Sequence, residues 1–143
     1  MTNQSAQSTE ALDSNFKPSL LFCYGIDKTP SFLKRILRLR EDPILTPAEI
    51  IGYRLKLWGP HPALVSCEDS TPENPSIVKG VTYRVTTEAQ LQRLKTYQGT
   101  NYIIEPLAIY EISSETGEKA EKQGGAFVWN SLPHLLRDWG NNP

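Results

Sequence analysis

Apolar residues along this chain fall into short runs punctuated by glycine and proline, and the period of the runs changes from one segment to the next. Leu20 to Tyr24 is continuously apolar and ends at Gly25, which predicts a strand buried on both faces that stops at a turn. Thr29-Pro30 then supplies an N-cap with proline at the first helical position. Phe32, Leu33, Ile36 and Leu37 follow at helical spacing, so a helix is expected there until Glu41-Asp42-Pro43. The segment from Ala48 to Leu57 is mixed and alternates from Tyr53 onward, as a strand with one polar face does. Gly59-Pro60-His61-Pro62 is turn punctuation before a short strand over Ala63 to Cys67, and Ile77 to Val85 alternates like a half-buried strand.

The next helix has the best-defined ends. Thr87 with Gln90 three residues on has the spacing of a capping box, and Gly99 suits the residue just past a helix C-terminus. Tyr102 to Ile112 is a long β-rich run in which Ile103, Glu105, Leu107 and Ile109 share one face. Gly117 and Gly124-Gly125 bracket an exposed charged hairpin, Ala126 to Trp129 returns as a strand, and Ser131 is expected to cap a last helix through Leu135, Leu136 and Trp139 to Gly140. Many strands on short turns with few helices predict an α+β fold. Its sheet, antiparallel or mixed, curls towards a barrel with helices outside.

Length and charge narrow the class. With 143 residues one core suffices, so residues 1–17, which are polar and contain Glu10 and Asp13, read as a disordered tail, and 18–143 as a single domain. Fifteen basic against sixteen acidic residues, with only Lys34, Arg35, Arg38 and Arg40 clustered, give no reason to expect nucleic acid; a solvated helix face explains the cluster. No apolar stretch is long enough to span a bilayer, so no membrane partner and a cytoplasmic location are expected. Cys23 and Cys67 are expected to be buried structural thiols, and His61 and His134 are too far apart in the chain to suggest a metal site, although His61 remains open as an acid or base.

Gln98 stands out against this background. Leu91, Leu94 and Gln98 follow one helical stripe, so an amide is aimed at the core just before the glycine that ends its helix. It either lines a cavity or is satisfied within the core, because an unpaired buried amide costs about 1–3 kcal/mol. Glu105 is a second inward polar candidate, alternatively a strand carboxylate reaching solvent or pairing with Arg84 or Arg93. Asp27 stands after the first strand, where a turn or cap role is the common alternative.

Tyr24-Gly25, Gly52-Tyr53-Arg54-Leu55, His61-Pro62-Ala63 and Val78 to Val85 occur in that order, followed by the stretch Leu94-x-x-Tyr97-x-Gly99-x-x-Tyr102. In this order and spacing the chain resembles the gamma-glutamylcyclotransferase-like family, which includes plant avirulence-induced relatives, over about Leu20 to Trp129. The resemblance implies a mixed or antiparallel β-barrel flanked by helices. It implies a small-molecule site without cofactor or metal, in a monomer or homodimer. In such enzymes the Tyr-Gly turn offers backbone N–H groups to the substrate, and a glutamate before the glycine moves a proton while an amine attacks its own gamma-carbonyl, releasing 5-oxoproline. That glutamate's place matches Gln98, and an amide has no titratable proton near neutral pH. Ile26-Asp27 also departs from the small hydroxyl residue common after the Tyr-Gly turn.

The resemblance therefore implies a substrate site of Tyr24, Gly25, Ile26 and Tyr102 with Gln98, Asp27 and Glu105 as the catalytic candidates. The expected function is a cofactor-independent intramolecular cyclisation, isomerisation or elimination on a small metabolite, in specialised metabolism. A true cyclotransferase with Asp27 or Glu105 as substitute base, or a relative that only binds, are the alternatives.

Overall fold

A computed structural model describes residues 16–25 and 28–138. Eight strands and two α-helices follow one another as β1 (Ser19–Cys23), α1 (Pro30–Leu37), β2 (Thr46–Ile51), β3 (Tyr53–Trp58), β4 (His61–Ser66), β5 (Ile77–Val85), α2 (Glu88–Gln98), β6 (Tyr102–Ile112), β7 (Lys119–Trp129) and β8 (Arg137–Asp138). Five of these strands close a barrel in the order β1-β5-β2-β6-β7, and β4-β3-β8 form a separate three-stranded sheet. Neighbours within the barrel are antiparallel except at the seam, where β7 runs parallel to β1. Closure removes the exposed edges that a five-stranded sheet would otherwise present. The α+β barrel with outer helices expected from the run pattern is the fold observed.

Period-two alternation in the barrel strands sorts the core into two layers. Leu20, Phe22, Ala48, Ile50, Val78, Ile109, Ala126 and Val128 fill the barrel interior. Leu21, Cys23, Tyr83, Val85, Phe127 and Trp129 point outward and pack against Leu33 and Leu37 of α1 and Leu94 of α2. The helices thus cover one outer wall, and a T-shaped contact between Phe32 and Tyr97, with centroids 5.0 Å apart, joins α1 to α2.

Four expectations are corrected. The mixed segment before Leu57 is two strands, divided at Gly52, whose φ of 92° only glycine adopts freely; β2 begins at Thr46 and is a central barrel strand. The return strand starts at Lys119 rather than Ala126, since its polar first half pairs with Tyr110, Glu111 and Ile112. The expected last helix is a single 3₁₀ turn, Pro133–Leu135. After it Arg137 and Asp138 pair with Leu57 and Lys56, so a ladder to β3 replaces further helical hydrogen bonds; Trp139 and Gly140 lie outside the described residues. Cys23 is buried as expected, but Cys67 is only partly so. The expected disordered tail, residues 1–17, falls almost wholly outside the described residues.

Candidate active site

Helix α2 is held at both ends as its sequence requires. Thr87 accepts a hydrogen bond from the Gln90 backbone N–H, and Gly99 closes the other end with φ 89° and its N–H donated to the Lys95 carbonyl. The Gln90 side chain does not complete a capping box. Its Oε1 accepts instead from the Thr86 N–H at 3.0 Å and the Tyr83 hydroxyl at 3.0 Å. Gln90 is fully buried, so the core glutamine of this helix is residue 90. Two turns on, along the stripe that continues through Leu94, Gln98 emerges half-exposed into a cavity of about 590 Å³.

Three parts of the chain meet at that cavity. The end of β1 and the residues after it bring Tyr24, Gly25, Lys28 and Thr29; the tip of the β3-β4 hairpin brings Trp58, Pro60, His61 and Pro62; α2 and the start of β6 bring Tyr97, Gln98 and Tyr102. Two hydrogen bonds fix the frame. The Tyr24 hydroxyl donates to the Phe127 carbonyl at 2.6 Å, tying the end of β1 to β7. The Tyr102 hydroxyl donates to the Pro62 carbonyl at 3.0 Å, tying β6 to the hairpin tip across forty residues. Aromatic contacts continue the wall: Tyr102 meets Trp129 edge-on at 5.4 Å, Trp129 meets Trp58 at 5.4 Å, and Trp58 meets His61 at 6.4 Å.

The structure brings Gln98, Tyr24, Gly25 and Tyr102 together at one cavity, with the two tyrosines tied into its frame. Both hydroxyl protons are committed to backbone carbonyls, so neither phenol is a hydrogen-bond donor to a ligand in this arrangement. Glu105 does not line the cavity. It lies on the interior-facing side of β6, opposite Ala126, half-buried, and its charge, after burial itself, raises the pKa of Tyr53. Among the described residues Glu105 makes no ion pair, so the expected partnership with Arg84 or Arg93 is not seen. Ile26 and Asp27 lie outside the described residues.

Local patterns missed most of the hairpin's contribution. His61 stands in the sequence only as an open acid or base and Trp58 carries no signal of a site, yet both line the cavity because the hairpin folds back over the start of β6. Lys28 carried no local signal at all. The described lining contains one lysine and one histidine and no carboxylate. Among the described residues no group of histidine, cysteine and acidic side chains has the arrangement of a metal site.

Burial leaves a mark on the phenols. Tyr102 is pushed up to about 12 by burial and, secondarily, by Tyr97. Tyr83 is also pushed up to about 12, by burial first and then by Cys23, against the lowering effect of its bond to Gln90. Unfolded tyrosine loses its proton near the ordinary value of about 10, before the folded phenols do. Stability is therefore complete below that pH and declines as pH rises from about 10 towards about 12. Thermal melts across this range should show the decline, and Tyr83→Phe should flatten part of it; a melting temperature that stays level to pH 12 would contradict the burial of these hydroxyls.

Comparison with known proteins bears on the same segments. The model of a family described as gamma-glutamyl cyclotransferase, AIG2-like, matches residues 21–141. Protein AIG2 A of Arabidopsis thaliana is 28% identical over 122 residues, an alignment that covers 83% of this chain and 65% of that protein. The chain thus spans just under two thirds of this relative's length. An Arabidopsis thaliana solution structure superposes with TM-score 0.64 at 19% identity, covering 88% of this chain and 79% of that one. A gamma-glutamyl cyclotransferase superposes with TM-score 0.61 at 13% identity, covering 85% and 70%. An AIG2-like protein of Mus musculus gives 0.59 at 17%, covering 86% of each. At these identities the superpositions speak to the fold.

Proposed function

Since the chain belongs to the gamma-glutamyl cyclotransferase, AIG2-like family, we propose that it is a cofactor-independent enzyme that rearranges a small molecule within the cavity at the end of α2, by intramolecular cyclisation, isomerisation or elimination. The observation that carries this reading is that the amide of Gln98 and the imidazole of His61 line one cavity, with no carboxylate in its described lining. An amide cannot take a proton from an attacking amine, so residue 98 does not perform the proton transfer that the family resemblance implies for a glutamate in its place.

Gln98 can still hold a ligand oxygen through its N–H groups. A preorganised donor of this kind typically contributes about 10²–10³ in rate when it faces developing negative charge. Confinement between the hairpin and α2 supplies the proximity that an intramolecular step needs. An imidazole both gives and accepts protons at neutral pH, which makes His61 the proton-moving candidate within the described lining. Specialised metabolism is the setting that the family resemblance favours.

Mass spectrometry of a metabolite pool incubated with the protein tests the reading. Conversion should yield products of unchanged mass, or of a mass lowered by water or ammonia, and His61→Ala and Gln98→Ala should each suppress it by about 10²-fold. Release of 5-oxoproline from gamma-glutamyl amines by the unaltered protein would overturn it in favour of a true cyclotransferase with a substitute base. Recovery of a bound but chemically unaltered ligand as the only result would favour a binding protein.

A further inference from the structure

We infer that the molecule this cavity accepts is a carboxylic acid with an aromatic or otherwise apolar body and no ammonium group, its carboxylate held at the Lys28 and His61 side. This deepens the proposed function and rests on its premise that the cavity holds a small molecule.

The inference follows from the chemistry of the lining. Lys28 is the full positive charge of the described lining and lies exposed at the cavity, where a carboxylate gains a charge-assisted hydrogen bond without either ion being fully stripped of water. His61 stands at the tip of the hairpin beside Trp58 and adds a second nitrogen donor. The remaining wall is mostly apolar, broken by the Thr29 hydroxyl and the Gln98 amide. Trp58, Tyr97 and Tyr102 present ring surface, and the two proline rings at positions 60 and 62 add more. Such a wall favours a flat hydrocarbon body over a polar one.

An ammonium group fares differently. In the described lining no carboxylate faces it and the lysine of the same lining repels it, while the Tyr24 and Tyr102 oxygens, their protons given to backbone carbonyls, can accept from it only as neutral groups without a counter-charge. A gamma-glutamyl group carries both a carboxylate and an ammonium, so only one of its ends suits these walls. Gln98 sets this preference, because a carboxylate at position 98 would restore the missing negative charge.

Calorimetric titration with three probes of one shape tests the inference: hydrocinnamate, its neutral amide hydrocinnamide, and phenylalanine, which is hydrocinnamate with an ammonium added. Hydrocinnamate should bind about fivefold more tightly than either of the others, the size of effect an exposed ion pair gives. Lys28→Gln should bring it down to the affinity of the amide while leaving the amide unchanged, and Gln98→Glu should weaken hydrocinnamate relative to phenylalanine. Thermal melts confirm that both variants are folded. Equal binding of acid and amide, equal binding of acid and phenylalanine, no effect of Lys28→Gln, or no binding of any probe up to about 10 mM would each overturn the inference. Selective binding of hydrocinnamate with no conversion of any metabolite would overturn the proposed enzyme and leave this inference standing, so the two failures are distinguishable.

Discussion

Gly80→Ala is expected to lower stability by about 3 kcal/mol, the upper end of what forced overpacking costs in a well-packed interior. For a domain of this size that corresponds to a fall in melting temperature of roughly 10 °C. Gly80 lies in β5 opposite Ala48 of β2, next to the Val81 that pairs with Cys23 of β1. A β-carbon built there would stand 2.3 Å from the Cys23 carbonyl oxygen and 2.8 Å from Cζ of Phe22. Phe22 is buried in the barrel interior, so its ring has little room to turn away. The carbonyl is backbone, and moving it means parting β1 from β5.

That displacement would reach the cavity. β1 leads directly into Tyr24 and Gly25, and Tyr24 is tied across to Phe127, so any shift at Cys23 pulls on a bond that shapes the site. Hydrocinnamate binding should therefore weaken in Gly80→Ala even at temperatures where the variant is folded. Thermal melts and titrations of the same preparation check both parts. A melting temperature within about 2 °C of the unaltered protein would show that β1 and β5 do not approach as closely as described.

The difference between what local pattern revealed and what it hid follows the distance over which each feature is determined. The helix carrying Gln98 was legible because a threonine cap, an apolar stripe and a terminal glycine all lie within thirteen residues. The long β6 run and the early buried β1 were legible for the same reason. β2 was blurred because Pro47 interrupts its start and Gly52 separates it from β3 without a change in hydropathy. The last helix failed because pairing of Arg137 with Leu57, eighty residues earlier in the chain, overrides the helical spacing of Leu135 and Leu136. The site divides along the same line: the Tyr-Gly turn and Gln98 are local signals, whereas Trp58 and His61 reach the cavity through long-range contacts, the bond from Tyr102 to Pro62 and the packing of Trp58 on Trp129. Glu105 shows the limit of periodicity, since the right face of a strand does not say which end of the barrel's contents a residue meets.

Gln98→Glu should change which ligand the protein prefers and raise its release of 5-oxoproline. The substitution places a carboxylate of nearly the same size at the end of α2, between Tyr97 and the positive φ of Gly99. Two things then change together. The ammonium of a gamma-glutamyl amine gains a counter-charge, and that same carboxylate can take its proton as the amine attacks the gamma-carbonyl. The new carbon–nitrogen bond closes the five-membered lactam while the original amide bond breaks, and the proton passes to the departing amine. A positioned general base contributes about 10²–10⁴-fold, so release of 5-oxoproline from gamma-glutamyl amines should rise at least about 100-fold above that of the unaltered protein. Binding of the acid proposed above, and any conversion of it, should fall in the same variant, because the added negative charge lines the same cavity as Lys28 and offsets its attraction for the carboxylate. Measuring both on one preparation separates the outcomes. If 5-oxoproline stays at background while binding of the acid is still weakened, the amide at position 98 matters but the cavity is not shaped for a gamma-glutamyl group. If neither changes, residue 98 is a bystander and the proposed chemistry fails.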